Sequence, residues 1–507
     1  MSETVQRRAG HGPRTRETRT RGRSRRGRTP HADRRGTVGA ASGAGFDNIN
    51  PATEEVLGQV ANGSAADMRR AIASARRAFD ESDWATNHGL RKRCLEQLQE
   101  ALESEREQLR AELVAEAGAP VAVTHLAQLE WPLADALRWP AKMIDEFPWE
   151  RELPDGGLMG PSKRVVRKEP IGVVGAIVPW NFPFEVTANK LGPVLAMGNT
   201  IVIKPAPDTP FNATRLGRLI AEKTGIPPGV VNVVTSSDHL VGEELTLDPR
   251  VDLISFTGST ATGKRIMERG AATLKKVFLE LGGKSAMVVC DDAGFAAVLP
   301  MAGAACMHAG QGCALQTRVL LPRSRYAEGV EILTAVMSNI PYGDPTDPTV
   351  LSGPQISALQ RDRVQAHNDR AVAQAARLVV GGGRPAHLPR GFFIEPTLFA
   401  DVDNSMAIAR EEVFGPVLAV LAYEDDDAVR IANDSVYGLS GGVFSASHER
   451  AMNIANRIRT GSVGVNGGLW YGADSPYGGY KSSGIGRQNG IEGLEQYTQT
   501  KALAWPA

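Results

Sequence analysis

The sequence predicts an α/β protein of two or more domains, and three observations support this. The chain has 507 residues, more than one ordinary hydrophobic core can organise. Between residues 171 and 290, β-rich runs alternate with helical stretches, a pattern typical of right-handed βαβ units and a parallel sheet covered on both faces. The stretch 294–484 has the same character with different spacing, which indicates a second domain.

The elements of the first domain follow from hydrophobic periodicity. Globular sequence begins near Phe46, and apolar residues recur with helical spacing over 65–80 and 90–117. The predicted strands are the runs IGVVGAIVP, NTIVIKPAP, VVNVVTS, VDLISFTG and KKVFLEL. The helices between them are expected near 185–197, 210–224, 239–247 and 261–271. A sheet of this kind binds ligands at the carboxyl ends of its strands.

Two exposed strand-like segments predict self-association. One is SKRVVRKEP at 162–170, and the other is GLEQYTQTKALAW at 493–505. An uncovered edge strand is a pairing hazard unless another chain covers it, so a homodimer or homotetramer is expected. No apolar run approaches the roughly 20 residues that cross a bilayer, and no membrane partner is expected.

The amino-terminal segment differs in composition from the rest of the chain. Residues 1–36 contain twelve Arg, no Lys and three acidic residues, a charge of +9 in a chain whose formal net charge is zero. Such a stretch cannot bury enough apolar surface to fold, so residues 1–44 are predicted to be a disordered tail. A nucleic-acid or membrane-surface arm, a transit peptide and a dispensable extension are the alternatives. The lack of interleaved aromatic residues favours the extension and argues against a nucleic-acid partner.

Cysteine usage indicates a reducing compartment, so the cytoplasm is the expected location. The four cysteines are too few and too scattered for a disulfide framework, and no pair has the C-x-x-C spacing of a zinc or redox site. No metal ion is therefore predicted. The cysteines are Cys94, Cys290, Cys306 and Cys313.

Three short motifs are candidates for the chemistry. FTGSTATGKRI at 256–266 joins a strand to a helix through small residues, which lets a phosphate approach the helix N-terminus; a tight turn without a ligand has the same form. FLELGGKS at 278–285 surrounds Glu280 with apolar residues, which suits a general base of raised pKa; a surface glutamate is the alternative. HAGQGCALQTR at 308–318 gives Cys313 small neighbours and hence the access a nucleophilic thiol needs; most single cysteines are inert core residues.

Taken together, the motifs resemble those of the aldehyde dehydrogenase superfamily over about residues 46–503. The resemblance implies a Rossmann-like NAD(P)-binding domain over 45–154 and 171–281, a second α/β catalytic domain over 282–485, and a small β oligomerisation arm over 155–170 and 486–507. Seven segments stand in family order: PWNFP at 179–183, IKP at 203–205, FTGSTATG, LELGGK, GQGC, EEVFGPV at 411–417 and SPYGGYKSSGIGR at 475–487.

The resemblance also implies a catalytic role for three residues. Cys313 is expected to attack the aldehyde carbonyl and form a thiohemiacetal, whose oxyanion the Asn181 amide and the Cys313 N–H would hold. Loss of hydride to the cofactor would leave a thioester on Cys313. Glu280 would then activate water to release a carboxylic acid. A CoA-acylating relative and a non-catalytic member of the fold are the competing interpretations, and the presence of all three residues favours the hydrolytic enzyme.

By the same resemblance, one basic and one acidic residue are expected to bind the two ribose groups of the cofactor. Lys204 would bond the adenosine ribose and Glu412 the nicotinamide ribose. NAD is the expected cofactor, but Pro207 stands where NAD-preferring relatives often have an acidic residue, so NADP is an alternative. Asp208 is expected to point away from the site. The other predicted cofactor contacts are Val178, Pro179, Trp180, Gly258, Ser259, Gly263, Leu281 and Phe414.

Aromatic residues indicate the substrate class less directly. Phe182, Tyr471 and Tyr477 resemble the family's substrate tunnel, with Trp470 close by, which suggests a medium-sized apolar or aromatic aldehyde; packing at a domain interface is the alternative. One departure concerns placement of the nucleophile. The interval from Glu280 to Cys313 is 33 residues, about one shorter than is common in the family, and the missing residue is expected to fall within 294–309. Local repacking is therefore expected.

Overall fold

The structure, a computed structural model, describes residues 28–29, 31–33, 36–156, 160–424 and 427–507. Within these ranges the strands are β1 Arg28–Thr29, β2 His31–Asp33, β3 Gly36–Val38, β4 Gly45–Ile49, β5 Val56–Ala61, β6 Glu150–Leu153, β7 Ser162–Pro170, β8 Val173–Ile177, β9 Thr200–Lys204, β10 Val231–Val233, β11 Leu253–Thr257, β12 Lys276–Glu280, β13 Ala286–Val289, β14 Arg318–Pro322, β15 Arg377–Val380, β16 Thr397–Ala400, β17 Val417–Tyr423, β18 Gly441–Phe444, β19 Gly464–Val465, β20 Gly484–Ile485 and β21 Thr498–Pro506.

The α-helices of the same ranges are α1 Ala65–Glu81, α2 His88–Ser104, α3 Arg106–Ala117, α4 Val121–Val123, α5 Glu130–Asp135, α6 Arg138–Glu146, α7 Pro183–Ala196, α8 Phe211–Lys223, α9 Leu240–Leu247, α10 Thr260–Gly270, α11 Phe295–Val298, α12 Tyr326–Ser338, α13 Ala358–Ala373, α14 Ala407–Arg410, α15 Asp427–Asn433, α16 His448–Arg457 and α17 Gly490–Glu495. No helix in the described ranges is long and apolar enough to cross a membrane.

The first large sheet has eight strands in the order β20-β12-β11-β8-β9-β10-β2-β3. Its five central strands run parallel, whereas β20, β2 and β3 are added antiparallel. The chain winds from β8 towards β10 on one side and from β11 towards β12 on the other. The crevice between the ends of β8 and β11 is therefore the topological switch point, where such sheets bind ligands.

A second sheet of seven strands, in the order β15-β16-β17-β14-β13-β18-β19, forms the core of the second domain. All its strand pairs are parallel except β15 with β16. Buried apolar residues pack on both of its faces, as expected for parallel strands covered by helices. The chain crosses from the first sheet to this one through residues 281–285, between β12 and β13.

The arm is a three-stranded antiparallel sheet in the order β21-β7-β6. All nine residues of β21 pair with β7, and β6 covers the other edge of β7. The arm therefore begins at Glu150 instead of 155. Residues 486–497, predicted to belong to it, instead include α17, which packs on α7 of the first domain.

The predicted disorder of the amino-terminal segment is wrong for part of it. Residues 1–27 lie outside the described residues, but β1 pairs with β5, and β2 pairs with β10 at the edge of the first large sheet. These strands were missed because a sheet edge offers backbone hydrogen bonds to any extended segment, whatever its composition.

The predicted α/β class is confirmed, and the strands predicted between 171 and 281 are β8 to β12. One helix boundary differs. The helix expected over 90–117 is two helices, α2 and α3, because Glu105 leaves helical geometry with φ −113° and ψ 24°. Its carboxylate there forms ion pairs with Arg215 and Arg218 of α8, a contact to a distant segment that local periodicity does not encode.

Candidate active site

Two adjoining cavities form one cleft at the switch point of the first sheet. Their volumes are about 640 and 710 Å³. Pro179 and Trp180, which follow β8, and Gly258 and Ser259, which follow β11, line both cavities. The cleft is therefore long enough for an extended ligand, with the reactive residues at one end and Lys204 at the other.

The middle of the cleft lies at the N-terminus of α10. Ser259 caps this helix, and its hydroxyl accepts a hydrogen bond of 3.2 Å from the Thr262 N–H. Gly258 donates its N–H to the Glu280 carbonyl at 3.0 Å, which ties the turn to the neighbouring strand. A helix N-terminus next to small residues is suited to a phosphate group, and this arrangement fits the pyrophosphate of a dinucleotide.

A pair of glycines brings the reactive segments together. A Cβ on Gly282 would lie 2.2 Å from Glu412 Oε2, and one on Gly283 would lie 2.4 Å from the Cys313 carbonyl oxygen. Gly283 also donates its N–H to Glu412 Oε1 at 2.9 Å. Side chains at these two positions would push both segments away. The glycines of LELGGK thus permit the close approach of three chain segments.

The three predicted catalytic residues all line the cavity at the reactive end of the cleft. Cys313 Sγ lies 3.9 Å from Glu280 Oε1, which ends strand β12. The Tyr477 hydroxyl lies 3.2 Å from the same sulfur. Asn181 is buried and lines the same cavity, and its side-chain amide donates to the Gln311 carbonyl at 2.8 Å. This hydrogen bond holds the Asn181 amide against the loop that carries Cys313.

Burial controls the protonation of the reactive pair. Burial and the Glu280 carboxylate raise the pKa of the Cys313 thiol well above its ordinary value, while the Tyr477 hydrogen bond lowers it. Burial also raises the pKa of Glu280 to about 8, although Tyr477 and Lys190 lower it. Lys190, completely buried in α7, donates to the Ser255 hydroxyl at 3.0 Å, and burial lowers its pKa to about 7. Burial thus favours the protonated form of both groups, and Glu280 is the member of the pair that titrates near neutral pH.

The loop before Cys313 has an unusual backbone. A 3₁₀ helix over Leu299–Gly310 is interrupted near its end, where Met307 is extended with φ −56° and ψ 134°. His308 and Ala309 adopt left-handed conformations with φ of 50° and 55°, followed by Gly310 at 72°, a costly geometry for residues with a Cβ. With this backbone, the interval of 33 residues still brings Cys313 Sγ to 3.9 Å from Glu280 Oε1.

Nine of the ten predicted cofactor residues line the cleft. Glu412 is half-buried, and desolvation raises its pKa to about 7; the Trp180 ring packs edge-on against Phe414 at 5.4 Å. Gly263 is the exception, because it packs against Leu281, where a Cβ would lie 2.7 Å from Leu281 Cδ2. Gly263 thus packs α10 against Leu281, and its contact with a cofactor stays a prediction. The nine lining residues are Val178, Pro179, Trp180, Lys204, Gly258, Ser259, Leu281, Glu412 and Phe414.

At the far end of the cleft, the expectation for Asp208 is wrong. Asp208 lines the cavity together with Lys204, Pro207 and His239, because the chain turns after β9 instead of continuing as a strand. Burial raises the pKa of Asp208, and Lys204 lowers it. The Lys204 ammonium contacts the Pro205 and Ser236 carbonyls at 3.3 Å, and burial lowers its pKa to about 8.

The predicted substrate aromatics form a cluster at the nucleophile. Trp470 stacks on Tyr477 with ring centroids 5.4 Å apart and an interplanar angle of 3°, and Tyr471 packs edge-on against Tyr477 at 6.1 Å. Phe182 packs edge-on against His308 at 5.6 Å. The Tyr471 hydroxyl donates to the buried Glu185 carboxylate. The cluster is therefore apolar with one buried acid.

Sequence reasoning missed two residues that line both cavities, Gln360 and Arg363 of α13. They belong to the second domain, and no local motif marks them; only the packing of α13 over the cleft brings them in. Arg318, at the start of β14, is buried and donates to the Lys284, Ile431 and Ala432 carbonyls, which is a structural role. No cluster of His, Cys, Asp or Glu that could hold a metal occurs in the part of the chain that the structure describes.

Comparison with known proteins agrees with this geometry. The model of the aldehyde dehydrogenase family matches residues 38–503. The chain belongs to the aldehyde dehydrogenase family. It is 42% identical to a geranial dehydrogenase of Castellaniella defragrans over 462 residues, which cover 90% of this chain and 94% of that protein. The family and the NAD(P)-dependent enzyme class predicted from the sequence are thus confirmed.

Two solved structures of the family resemble this enzyme closely. One is a Mycobacterium tuberculosis aldehyde dehydrogenase complexed with NAD+, with a TM-score of 0.89 and 43% identity, covering 93% of this chain and 96% of that one. The other is a mutant of aldehyde dehydrogenase C from Pseudomonas syringae with NAD+ and octanal, with a TM-score of 0.89 and 37% identity, covering 94% and 96%. These relatives confirm the predicted aldehyde dehydrogenase fold.

Proposed function

We propose that this enzyme oxidises an aldehyde to a carboxylic acid and uses water, not CoA, to release the product. The observation that carries the proposal is the contact of 3.9 Å between Cys313 Sγ and Glu280 Oε1 in a cavity that Asn181 also lines. A thiol beside a buried carboxylate is an arrangement for nucleophilic catalysis with a general base.

In the acylation half, the Cys313 thiolate attacks the aldehyde carbon, and a C–S bond forms as the carbonyl oxygen becomes an oxyanion. The Asn181 amide and the Cys313 N–H stabilise that oxyanion, and one such donor typically contributes about 10² to 10³ in rate. NAD(P)⁺, when bound, accepts the hydride that leaves this carbon. Glu412 and Phe414 would hold the nicotinamide end of the cofactor, and Gly258 and Ser259 its pyrophosphate.

In the deacylation half, Glu280 takes a proton from water, which attacks the thioester carbon. The C–S bond breaks, and the acid and the Cys313 thiolate are released. A pKa of about 8 leaves Glu280 partly ionised near neutral pH and basic enough to take that proton. A buried base next to the thioester is what a hydrolytic enzyme requires, and this supports water as the acceptor.

NAD is the cofactor we assign, and Asp208 supports the assignment. Although Pro207 stands at the position where an acidic residue is often found, the neighbouring carboxylate of Asp208 lines the same cavity as Lys204. A carboxylate there would accept hydrogen bonds from ribose hydroxyls and repel a 2′-phosphate. The structural neighbours in complex with NAD+ are consistent with this.

A medium-sized apolar or aromatic aldehyde is the substrate class we assign. Phe182, Trp470, Tyr471 and Tyr477 present aromatic surface around the nucleophile, and apolar pockets of this kind discriminate by size and shape. The names of two relatives, a geranial dehydrogenase and an enzyme bound to octanal, support the same class. Assembly through the arm and a cytoplasmic location, which agrees with four free cysteines, complete the proposal.

The experiment follows NADH formation over a panel of aliphatic and aromatic aldehydes. Wild type should turn over and Cys313→Ala should be inactive, whereas Cys290→Ala, a matched buried cysteine outside the cleft, should stay active. Glu280→Gln should form NADH in a rapid burst and then turn over on the order of 10² times more slowly. Full steady-state turnover by Glu280→Gln, or a requirement for CoA, would contradict the hydrolytic mechanism.

A further inference from the structure

The Tyr477 hydroxyl makes a contact that its tunnel position does not explain. It lies 3.2 Å from Cys313 Sγ, closer to the sulfur than the Glu280 carboxylate at 3.9 Å. Only a phenol reaches the sulfur in this way, since a phenylalanine ring would fill the same space without the contact.

The surroundings fix this hydroxyl in place. The Tyr477 side chain is buried, and its ring lies parallel to Trp470 and edge-on to Tyr471. Its backbone forms two hydrogen bonds with Gln488, of 2.7 and 2.6 Å. A side chain held from both ends loses little entropy when it makes a hydrogen bond, so the contact with sulfur is preorganised.

The direction of the hydrogen bond follows from the phenol's protonation. Burial raises the pKa of Tyr477 well above its ordinary value, and the neighbouring Cys313 raises it further. The hydroxyl therefore keeps its proton at all working pH values. It donates a hydrogen bond to the sulfur once the sulfur is a thiolate. A hydrogen bond to an ionised group is about twice as strong as a neutral one.

We propose that Tyr477 is a catalytic residue whose hydroxyl donates a hydrogen bond to the Cys313 sulfur and stabilises the thiolate that attacks the aldehyde. The proposal rests on the function proposed above. The S–H bond of Cys313 breaks and an O–H bond forms on Glu280, so one proton moves from thiol to carboxylate. Glu280 releases this proton to solvent before it takes another from water in the deacylation half. Tyr477 keeps its own proton and bonds the thiolate that remains.

This role answers an electrostatic problem of the site. The groups facing the pair are Lys190 and Glu185 of α7, Glu412 beside Gly283, and Arg487 after β20. Three of the carboxylates around the sulfur, Glu280, Glu412 and Glu185, oppose its ionisation. A neutral donor at 3.2 Å offsets that opposition at the atom where the charge forms.

The test compares Tyr477→Phe with Tyr423→Phe. The second variant removes a buried tyrosine hydroxyl that lies outside the cleft and donates to the Val289 carbonyl at 2.9 Å. The pH profile of Cys313 alkylation by iodoacetamide is measured by mass spectrometry of the labelled residue. A hydrogen bond to a charged group shifts the thiolate population about 10- to 100-fold, so Tyr477→Phe should move the profile upward by about one pH unit or more. The Tyr423→Phe profile should match that of wild type.

Reaction rates should change less than the thiolate population. A less stable thiolate is also a better nucleophile, with a Brønsted coefficient of about 0.4–0.5, so alkylation and the NADH burst should slow by about 3- to 10-fold at neutral pH. The KM for the aldehyde should stay within about twofold, because the aromatic ring remains. An unchanged alkylation profile together with a raised KM would mean that the hydroxyl binds substrate, and the proposal would be overturned.

The Glu280→Gln background separates a direct effect from an indirect one. Tyr477→Phe should shift the alkylation profile there as in wild type, because the hydroxyl acts on sulfur. Disappearance of the shift would show that Tyr477 works through Glu280, which also overturns the proposal. Failure of the wild type to form NADH with any aldehyde of the panel would instead contradict the proposed function, and the alkylation profiles would still report the hydrogen bond.

Discussion

At the scale of residues, the cleft is defined by carboxyl groups that burial makes harder to ionise. Glu280 and Glu185 are buried around Cys313 and Glu412 is half-buried, and desolvation raises the pKa of each. The same burial that makes Glu280 a useful base also disfavours the thiolate beside it. The reactive centre is thus a compromise, in which a base of sufficient strength is obtained at the expense of nucleophile ionisation.

Asp208 gives the residue-scale prediction on cofactor choice. Asp208→Asn removes the carboxylate that would repel a 2′-phosphate, so kcat/KM for NADP should rise relative to NAD by about tenfold or more. Parallel kinetics with both cofactors measure the ratio. Asp238→Asn serves as control, because Asp238 also acts on Lys204 but is exposed and screened; it should change the ratio less. An unaltered ratio in Asp208→Asn would remove this residue from cofactor selection.

At the scale of elements, the seating of α10 depends on one glycine. A Cβ on Gly263 would meet Leu281 Cδ2 at 2.7 Å and Cδ1 at 2.9 Å, whereas at Gly270 of the same helix the nearest atom is Lys275 Cβ at 3.5 Å. Gly263→Ala should lower the free energy of unfolding by about 1–3 kcal/mol through overpacking. It should also raise the KM for NAD, since Leu281 lines the cleft.

The matched variant Gly270→Ala should be neutral or should stabilise the enzyme by about 0.4–1 kcal/mol, because it restricts the unfolded chain at a position with helical dihedrals. Urea denaturation of both variants and NAD titrations provide the measurements. Equal stability of the two variants would show that α10 moves freely enough to absorb the added methyl group.

Elements with strong periodicity could be predicted from the sequence, and those stabilised by distant partners could not. The strands β8 to β12 carry buried apolar runs, so each can be predicted from its own residues. By contrast, β2 is held by backbone pairing with β10, and the break at Glu105 by arginines of α8. The backbone before Cys313 likewise depends on where Cys313 lies relative to Glu280, a residue of a different domain.

The same distinction applies to the site. Cys313, Glu280 and Asn181 stand in motifs and could be identified from resemblance, although their distances could not. Gln360 and Arg363 come from a helix of the other domain, and Asp208 depends on where the chain turns after β9. The contact of Tyr477 with sulfur joins residues 164 positions apart, and only the folded structure shows it.

At the scale of the whole molecule, the arm provides a prediction on assembly. Deletion of residues 498–507 removes β21 and leaves all nine residues of β7 without that partner, so the enzyme should lose self-association and melt at a lower temperature. Light scattering after size-exclusion chromatography and thermal melts measure both effects. Lys501→Ala is the control, because it removes only an exposed ion pair with Glu169, which contributes little. If the truncated enzyme kept the same number of subunits as wild type, the arm would not be needed for assembly.

The Gly282–Gly283 crossing between the two large sheets has a mechanical consequence. It is the link at which the chain leaves β12, and Glu280, Glu412 and the Cys313 backbone all meet within a few ångströms of it. A rotation of one domain relative to the other about this link would move distant points such as Lys204 and α13 most and the pivot least. The enzyme could therefore widen the adenosine end of its cleft to exchange a dinucleotide while the acid and the thiol keep their separation. The pivot of the domain rotation and the reactive centre therefore coincide.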